Sequence, residues 1–196
     1  MSPRETAETV PTALNEGWLQ EVDRLDTAVY GSIASTPTPS LDRAMRTLAR
    51  AADRSRLSVA VAAGLALGGG AQGRRAASAG LAAVAVTSGM VNLVVKPLGR
   101  RRRPDHISVP LARRVPMPSS RSFPSGHAAS AFAFATGVSA YLPGASAPLN
   151  ALAALVGYSR VHTGVHFPGD VIAGALIGSA LADLTVDALA RHRAAS

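Results

Sequence analysis

From Leu57 onward the chain consists largely of apolar runs rich in alanine and glycine, and this texture constrains the fold more than any other feature. The runs cover residues 57–71, 79–95, 127–142, 147–158 and 170–190. A helix needs about 20 apolar residues to cross a bilayer, so the shorter runs require their flanking residues to span. We therefore predict an all-α, integral-membrane helical bundle of about five spans; a soluble helical bundle is the alternative.

Small-residue spacing within these runs favours tight packing between the predicted helices. Gly64 and Gly68 are four residues apart, and so are Gly174 and Gly178. This spacing lets two helix backbones approach closely in lipid.

Two amphipathic patterns precede the apolar runs. In the first, apolar residues recur at spacings of three or four, which predicts a helix; they are Leu14, Trp18, Val22, Leu25 and Val29. A Pro-Thr-Pro break at 37–39 ends that helix, and Ser40 is predicted to N-cap a second one. Its apolar stripe contains Leu41, Ala44, Met45, Leu48 and Ala52. Both helices are expected at the membrane interface, although packing on a soluble core gives a similar stripe.

These patterns divide the chain into three segments. Residues 1–12 lack periodicity and are predicted to be a disordered N-terminus. Residues 13–56 form the amphipathic helical segment, and residues 57–196 form the membrane core.

Three polar segments between the apolar runs fit the needs of phosphate-ester chemistry. They are residues 96–104 (KPLGRRRRP), 124–127 (PSGH) and 159–170 (SRVHTGVHFPGD). Together they supply cations, three histidines and a carboxylate. Lys96 is the only lysine in the chain, so every other basic residue apart from histidine is an arginine, the side chain suited to bidentate phosphate contacts.

Two histidines in these segments can divide the nucleophile and acid roles of phosphoryl transfer. His166 precedes Asp170 by four residues, close enough for the carboxylate to hold one ring nitrogen and leave the other free to attack. We therefore predict His166 as the nucleophile, through a phosphohistidine intermediate. His127 is predicted to protonate the leaving group.

The remaining site residues are predicted to bind the phosphate. Ser125 and Gly126 precede an apolar run, so we expect a helix N-terminus there, whose N–H groups favour an anion. Lys96, Arg103 and Arg160 would contact the phosphoryl oxygens. Three such cations make a metal unnecessary, and the sequence has no Asp/Glu cluster typical of Mg²⁺ sites. We expect no metal and no cofactor.

Other residues near the segments are given structural roles. A lone histidine is more often structural than catalytic, and this applies to His106, His162 and His192. Arg100, Arg101 and Arg102 are interpreted as a solvated or lipid-headgroup cluster. Asp105 is assigned no catalytic role.

The three segments resemble the signature of the type 2 phosphatidic acid phosphatase (PAP2) superfamily, K-x6-R-P, P-S-G-H and S-R-x5-H-x3-D. Every signature position is filled in order, and the resemblance extends roughly over residues 57–190. It implies metal-independent hydrolysis of a membrane lipid phosphate or diphosphate, with a polyprenyl or a glycerolipid tail. It also implies the same phosphate contacts for Lys96, Arg103 and Arg160.

Three alternatives to a lipid phosphatase remain at this point. Vanadate-dependent haloperoxidases share the oxyanion site, but the short chain and its apolar runs disfavour them. A soluble acid phosphatase would require the apolar runs to form a buried core. A non-catalytic lipid-phosphate-binding protein would not need both histidines and Asp170 intact.

Composition limits the catalytic chemistry and the binding partners that fit this chain. The chain has no cysteine, which excludes disulfides and thiol catalysis. Its net charge of +8 suits an anionic lipid or a phosphorylated substrate. Aromatic residues make up only 4% of the chain, which disfavours nucleic-acid binding. We expect a lipid phosphate and the bilayer as partners, in a bacterial cell membrane. The sequence leaves open which membrane face carries the site, and the oligomeric state.

Overall fold

The computed structural model describes residues 12–105 and 109–195, and all regular structure within them is helical. The predicted disordered N-terminus, residues 1–12, lies outside the described chain except for Thr12, which begins helix α1. The α-helices are α1 Thr12–Ser35, α2 Pro39–Ala51, α3 Arg56–Gly68, α4 Gly70–Met90, α5 Lys96–Leu98, α6 Gly126–Ser139, α7 Ser146–His162 and α8 Pro168–Ala195. A π-helical turn, Val91–Val95, joins α4 to α5, and short 3₁₀ turns lie at Asp53–Ser55 and Pro143–Ala145. The all-α prediction is confirmed.

Each of the five apolar runs coincides with one of the helices α3, α4, α6, α7 and α8. Two helices of the described chain are long and apolar enough to cross a membrane unaided, Gly70–Leu98 and Pro168–Ala195. Helices α3, α6 and α7 have 13, 14 and 17 residues and are shorter than a typical span.

Large apolar side chains cover the outside of the bundle. Leu67 is 89% exposed, Leu176 67% and Leu184 62%. Water-soluble proteins rarely present such a contiguous apolar surface, whereas a bilayer solvates it. The surface therefore fits a bundle embedded in lipid.

Helix α6 is the centre of the bundle and packs against α4, α7 and α8. The spacing Gly174/Gly178 makes the predicted contact: a Cβ added at these positions would lie 2.5 Å from the Ser125 carbonyl oxygen and 2.1 Å from that of Ala129. Gly64 and Gly68 do not use their spacing for a contact within the described chain, since neither has a neighbour within 4 Å of an added Cβ. The tight contact of α3 with α4 is made instead by Gly73, where a Cβ would meet the Leu65 carbonyl oxygen at 2.2 Å.

Helix α1 has the predicted amphipathic form, and its apolar stripe faces outward. Trp18, Val22, Leu25 and Val29 are each about half exposed. The opposite side contributes Tyr30, which packs with Val109 and Val161 of the core. A helix that packs on the protein along one side and exposes an apolar stripe on another has the geometry of an interfacial helix.

Helix α2 begins one residue before the predicted cap. Thr38, not Ser40, is the N-cap residue, and Pro39 takes the first helical position, where its missing N–H costs nothing. The buried face contains Met45, Ala49 and Asp42, and α2 packs on α7. Helix α2 is therefore held against the bundle by direct contacts with α7.

Candidate active site

The predicted site residues meet at one end of the bundle. The N-termini of α6 and α8 and the C-termini of α5 and α7 all lie there. The connection between α5 and α6, described for residues 99–105 and 109–125, adds Arg103 to this cluster. The bundle topology thus gathers the three polar segments that the apolar runs separate in sequence.

His166 lies in the loop between α7 and α8 and is only 2% exposed. Its Nδ1 is 3.4 Å from Oδ2 of Asp170, and its Nε2 is 3.1 Å from Nη1 of Arg103. A guanidinium can only donate hydrogen bonds, so Nε2 must be the acceptor and Nδ1 carries the proton directed at Asp170. This tautomer leaves the lone pair on Nε2, the nitrogen that faces the cations.

The charge state of His166 follows from its surroundings. Burial lowers the pKa of His166 below its ordinary value, opposed by the hydrogen bond to Asp170 and reinforced by the Arg103 guanidinium. The imidazole is therefore held neutral at physiological pH.

Asp170 is fully buried, and several hydrogen-bond donors fix the position of its carboxylate. Its Oδ2 accepts from the Phe167 N–H at 3.0 Å and from the Ser122 hydroxyl. Its Oδ1 accepts from Arg101 Nη1 at 3.2 Å. The carboxylate is therefore fixed in position and in its ionised form beside His166.

Arg101 corrects the sequence interpretation of the arginine run. It forms ion pairs with Asp26 at 2.6 Å and with Asp23 at 2.8 Å, and its guanidinium stacks over the Phe167 ring at 4.1 Å. With its contact to Asp170, Arg101 joins α1 to the site and is not a solvated headgroup contact. The sequence could not distinguish it from its exposed neighbours Arg100 and Arg102.

Arg103 and Lys96 converge on one serine. Lys96 Nζ donates to Ser120 Oγ at 3.2 Å, and Arg103 Nη2 donates to the same atom at 3.2 Å. Arg103 Nη1 also donates to the Val165 carbonyl at 2.7 Å. These bonds hold two cations side by side next to His166 Nε2. Sequence analysis missed Ser120 and Ser122, although both lie just before the PSGH segment.

The N-terminus of α6 has the predicted form. Ser125 is the N-cap, and its Oγ accepts from the Ala128 N–H at 3.4 Å. The Ser125 N–H donates to the Asp170 carbonyl at 2.9 Å, so the open donors of this terminus belong to Gly126 and His127. A Cβ at Gly126 would lie 3.5 Å from Lys96 Nζ, so glycine lets the ammonium group approach the helix end.

His127 and Arg160 share a partner that the sequence did not indicate. His127 Nε2 is 3.1 Å from Asp53 Oδ1, and Arg160 Nη1 is 3.4 Å from the same oxygen. Arg160 is 3% exposed and also donates to the Ala49 carbonyl. Asp53 belongs to the amphipathic segment, far from the polar segments in sequence.

His162 has the structural role expected for it. Its Nε2 is 3.0 Å from Asp42 Oδ1, an atom that also accepts from Arg113 Nε at 2.7 Å. Arg113 is fully buried and donates as well to the carbonyls of Ile33 and Thr36. This cluster fixes the α1–α2 corner to the last turn of α7. His192 is exposed on α8, and His106 lies outside the described residues.

A cavity of about 220 Å³ opens beside the cations. Lys96, Gly126 and His127 line one part of it, and the rest is mainly apolar. The apolar wall includes Val61, Val91, Phe134, Leu149, Leu152 and Val156. Phosphate-binding groups and an apolar chamber are therefore continuous.

Cationic side chains and backbone N–H groups dominate the donor set at this site. Within residues 12–105 and 109–195, no group of three or more His, Asp or Glu side chains is arranged to hold a metal ion. The arrangement can hold a phosphoryl group between Lys96, Arg103 and the α6 terminus, with His166 Nε2 directed at phosphorus.

Comparisons with known proteins agree with this geometry. A decaprenylphosphoryl-5-phosphoribose phosphatase from Mycobacterium tuberculosis is 39% identical over 92 residues, which are 45% of this chain and 48% of the relative. The chain thus matches about half the length of that relative. The protein of the same name from Mycolicibacterium smegmatis is 35% identical over 152 residues, 78% of this chain and 80% of the relative.

A solved structure extends the comparison to the membrane. A transmembrane PAP2-type phosphatidylglycerolphosphate phosphatase from Bacillus subtilis superposes with a TM-score of 0.63 and 28% identity, over 84% of each chain. With the apolar outer surface, this likeness confirms the integral-membrane bundle. The PAP2 superfamily model matches residues 77–193, and the chain therefore belongs to the PAP2 superfamily.

Proposed function

We propose that the protein hydrolyses the terminal phosphate of a membrane lipid through a phosphohistidine intermediate at His166. The observation that carries this proposal is the approach of Arg103 Nη1 to His166 Nε2 at 3.1 Å, beside Lys96 and above the α6 N-terminus. A nucleophile with its lone pair among phosphate-binding donors is the requirement for attack on phosphorus.

The reaction divides into two transfers. In the first, His166 Nε2 forms a bond to phosphorus while the P–O bond to the lipid breaks, and His127 gives a proton to the departing oxygen. In the second, water attacks the phosphohistidine, His127 takes up the proton from that water, and inorganic phosphate leaves. Asp170 stabilises the positive charge on the His166 ring in both steps.

The phosphate-binding residues neutralise the charge of the transferred group. Lys96, Arg103 and Arg160 contact its oxygens, and the N–H groups of Gly126 and His127 complete the site. Ser125 contributes through its hydroxyl and by capping α6. Side-chain cations thereby fill the role that Mg²⁺ has in many other phosphotransfer enzymes.

The cavity beside His127 supports a lipid leaving group. The proton donor must contact the departing oxygen, so the rest of the substrate extends from His127 into this space. Its mainly apolar wall suits a hydrocarbon segment, and the exposed apolar helices allow the remaining tail to lie in the bilayer. The substrate is thus a lipid whose headgroup enters at the membrane surface.

Among lipid phosphates, a polyprenyl-phosphoryl-pentose phosphate is the substrate class that the relatives favour. Both mycobacterial relatives carry the name decaprenylphosphoryl-5-phosphoribose phosphatase, and one matches over most of its length. The glycerolipid class is the second candidate, because the Bacillus subtilis neighbour is a phosphatidylglycerolphosphate phosphatase. The relatives also support a bacterial cell membrane as the location.

A phosphate-release panel on purified protein in detergent tests the proposal. The substrates are decaprenylphosphoryl-5-phosphoribose, a polyprenyl diphosphate, phosphatidylglycerophosphate and phosphatidic acid. We expect the highest kcat/KM with the first, and no release by His166→Ala. A preference for phosphatidylglycerophosphate would assign the glycerolipid class. Absence of phosphate release from every substrate would contradict the enzymatic proposal itself.

A further inference from the structure

We infer that Asp53 is a positioning residue for His127, and so part of the acid–base machinery although it lies outside the matched family region. The inference rests on the proposed function, because it assigns Asp53 to the proton transfer that His127 is proposed to perform. Asp53 precedes residues 77–193, the segment that matches the PAP2 superfamily.

The contacts of Asp53 are the first argument. One of its oxygens, Oδ1, is 3.1 Å from His127 Nε2 and 3.4 Å from both terminal nitrogens of Arg160. A carboxylate only accepts hydrogen bonds, so His127 Nε2 carries a proton in this contact. His127 Nδ1 is then the nitrogen available to the leaving oxygen.

The attachment of the Asp53 turn is the second argument. Arg160 donates to the carbonyl of Ala49, one helical turn before Asp53, and to the Asp53 carboxylate. The next two residues, Arg54 and Ser55, adopt φ values of 53° and 56°, a left-handed conformation that non-glycine residues rarely adopt. Such conformations persist where surrounding contacts hold them, and they concentrate at functional sites. The α2–α3 corner thus places a carboxylate at the active site.

Electrostatics give the third argument. The groups with the largest electrostatic effect on His127 are Asp53 from this corner, Arg160 from α7 and His166 from the loop before α8. Lys96 and Arg54 line the same cavity as His127. Burial is the largest factor against a positive charge on His127 and the Arg160 guanidinium adds to it, whereas the Asp53 carboxylate favours that charge. A general acid must be protonated when it acts, so the carboxylate stabilises the form of His127 that the first transfer uses.

The site therefore contains two histidine–carboxylate pairs with different tasks. Asp170 holds His166 with Nε2 unprotonated, for attack. Asp53 holds His127 with Nε2 protonated, for proton donation from Nδ1. Each carboxylate fixes one ring nitrogen and so determines what the other can do.

Leaving-group dependence distinguishes this role from a structural one. Asp53→Asn keeps the shape of the side chain and removes its charge. A lipid alkoxide needs a proton to leave, whereas nitrophenolate leaves without one. The comparison uses kcat/KM, which reports the first transfer and not the later hydrolysis of the phosphohistidine that both substrates share. We expect kcat/KM on the lipid phosphate to fall about 100-fold, the lower end for acid–base catalysis, while kcat/KM on p-nitrophenyl phosphate changes less than about 3-fold.

A pH profile and two further variants complete the test. Loss of the carboxylate destabilises the protonated His127, so the basic limb of the kcat/KM profile with the lipid should move to lower pH. Asp53→Glu should recover part of the lost lipid activity. Glu21→Gln, which neutralises an exposed carboxylate of α1, should leave both substrates unaffected.

Several outcomes would overturn the inference. Equal losses of kcat/KM on the two substrates would show that Asp53 only supports the fold. A lower KM with unchanged or higher kcat would show that its carboxylate competes with the phosphate. Wild-type kinetics in Asp53→Asn would reject any role. Failure of the proposed function is separate, because it appears as inactivity of the unmodified protein on every lipid phosphate.

Discussion

Arg103 donates to His166 Nε2 over 3.1 Å, and this contact determines which imidazole nitrogen carries the proton. The lone pair of His166 points at the cations, and its N–H points at Asp170. In the proposed mechanism, the oxygens of an entering phosphate replace the imidazole as acceptor for Arg103, and Nε2 then faces phosphorus. Arg103 would thus orient the proposed nucleophile before the substrate binds.

The nucleophile itself gives the first prediction. His166→Ala should reduce phosphate release by at least about 10⁴-fold, because the described site contains no second ring nitrogen in this position. Asp170→Asn should be less severe, on the order of 10²- to 10⁴-fold, since it loses orientation and charge but keeps the imidazole. Phosphate release is measured beside His192→Ala, an exposed histidine of α8 that serves as the control. Near-wild-type activity of His166→Ala would disprove the assignment.

The cation cluster gives the second prediction. Activity should survive EDTA and be inhibited by orthovanadate, because the proposed mechanism assigns the phosphoryl oxygens to Lys96, Arg103 and the α6 N–H groups. Lys96 and Arg103 lie side by side, since both donate to Ser120 Oγ. The measurement is phosphate release after chelation, with and without added Mg²⁺, followed by a vanadate titration. Loss of activity on chelation and full recovery with Mg²⁺ would contradict the mechanism.

The buried His166 gives the third prediction, on pH. Its pKa lies below the ordinary value of about 6.5, so the ring stays unprotonated as the pH falls through that value. The acid limb of kcat/KM should therefore lie below pH 6.5, once the separately measured ionisation of the substrate phosphate is divided out. An acid limb at or above the ordinary histidine pKa would mean that burial does not keep the nucleophile neutral.

The three polar segments could be predicted from the sequence because each is a short run of consecutive residues with its own chemistry. The helices carrying them could be predicted because their apolar runs are long. Asp53 and Asp42 could not be predicted in this way. Each is one of several acidic residues in an amphipathic segment, and its partners His127 and His162 are 74 and 120 positions away.

Arg113 shows the same limit. In the sequence it is one arginine among many, yet it is fully buried. It donates to Asp42 and to the carbonyls of Ile33 and Thr36. Gly64 and Gly68 show the reverse case, since a favourable spacing exists without a partner helix beside it. The pattern of residues within a segment predicts which helices form. Which distant residues come into contact depends on how the turns between helices orient one helix against the next.

The Asp42–Arg113 pair gives the fourth prediction, on stability. Arg113→Met should destabilise the fold by about 3–5 kcal/mol, because it leaves a buried carboxylate without its main partner. Thermal unfolding in detergent measures the change, with Arg43→Met on the exposed side of α2 as the matched control. Equal unfolding temperatures for the two variants would contradict the importance of this pair.

The same pair also has a pH dependence. Burial alone would raise the pKa of Asp42, but hydrogen bonds from Thr38, His162 and Arg113 outweigh it and hold that pKa below the usual range. A lowered carboxyl pKa stabilises the fold at every pH above the unfolded value of about 3.9, and this contribution is lost as the pH falls through the folded value. The acid-induced loss of stability should be smaller in Asp42→Asn than in the unmodified protein.

The last prediction concerns attachment to the membrane. The protein should remain with membranes through high-salt and carbonate washes, because leucines such as Leu67, Leu176 and Leu184 face outward from the bundle. Each such side chain costs about 1.5–3 kcal/mol to move from an apolar surrounding into water, and salt does not weaken that term. Attachment through the arginines of α2 alone would be screened at high ionic strength. The measurement is the fraction of the protein that sediments with the membranes after each wash. A peripheral membrane protein, which should detach, is the control. Release as a monodisperse, active protein without detergent would mean that the apolar surface is covered by protein, and would shift the substrate toward water-soluble phosphate esters.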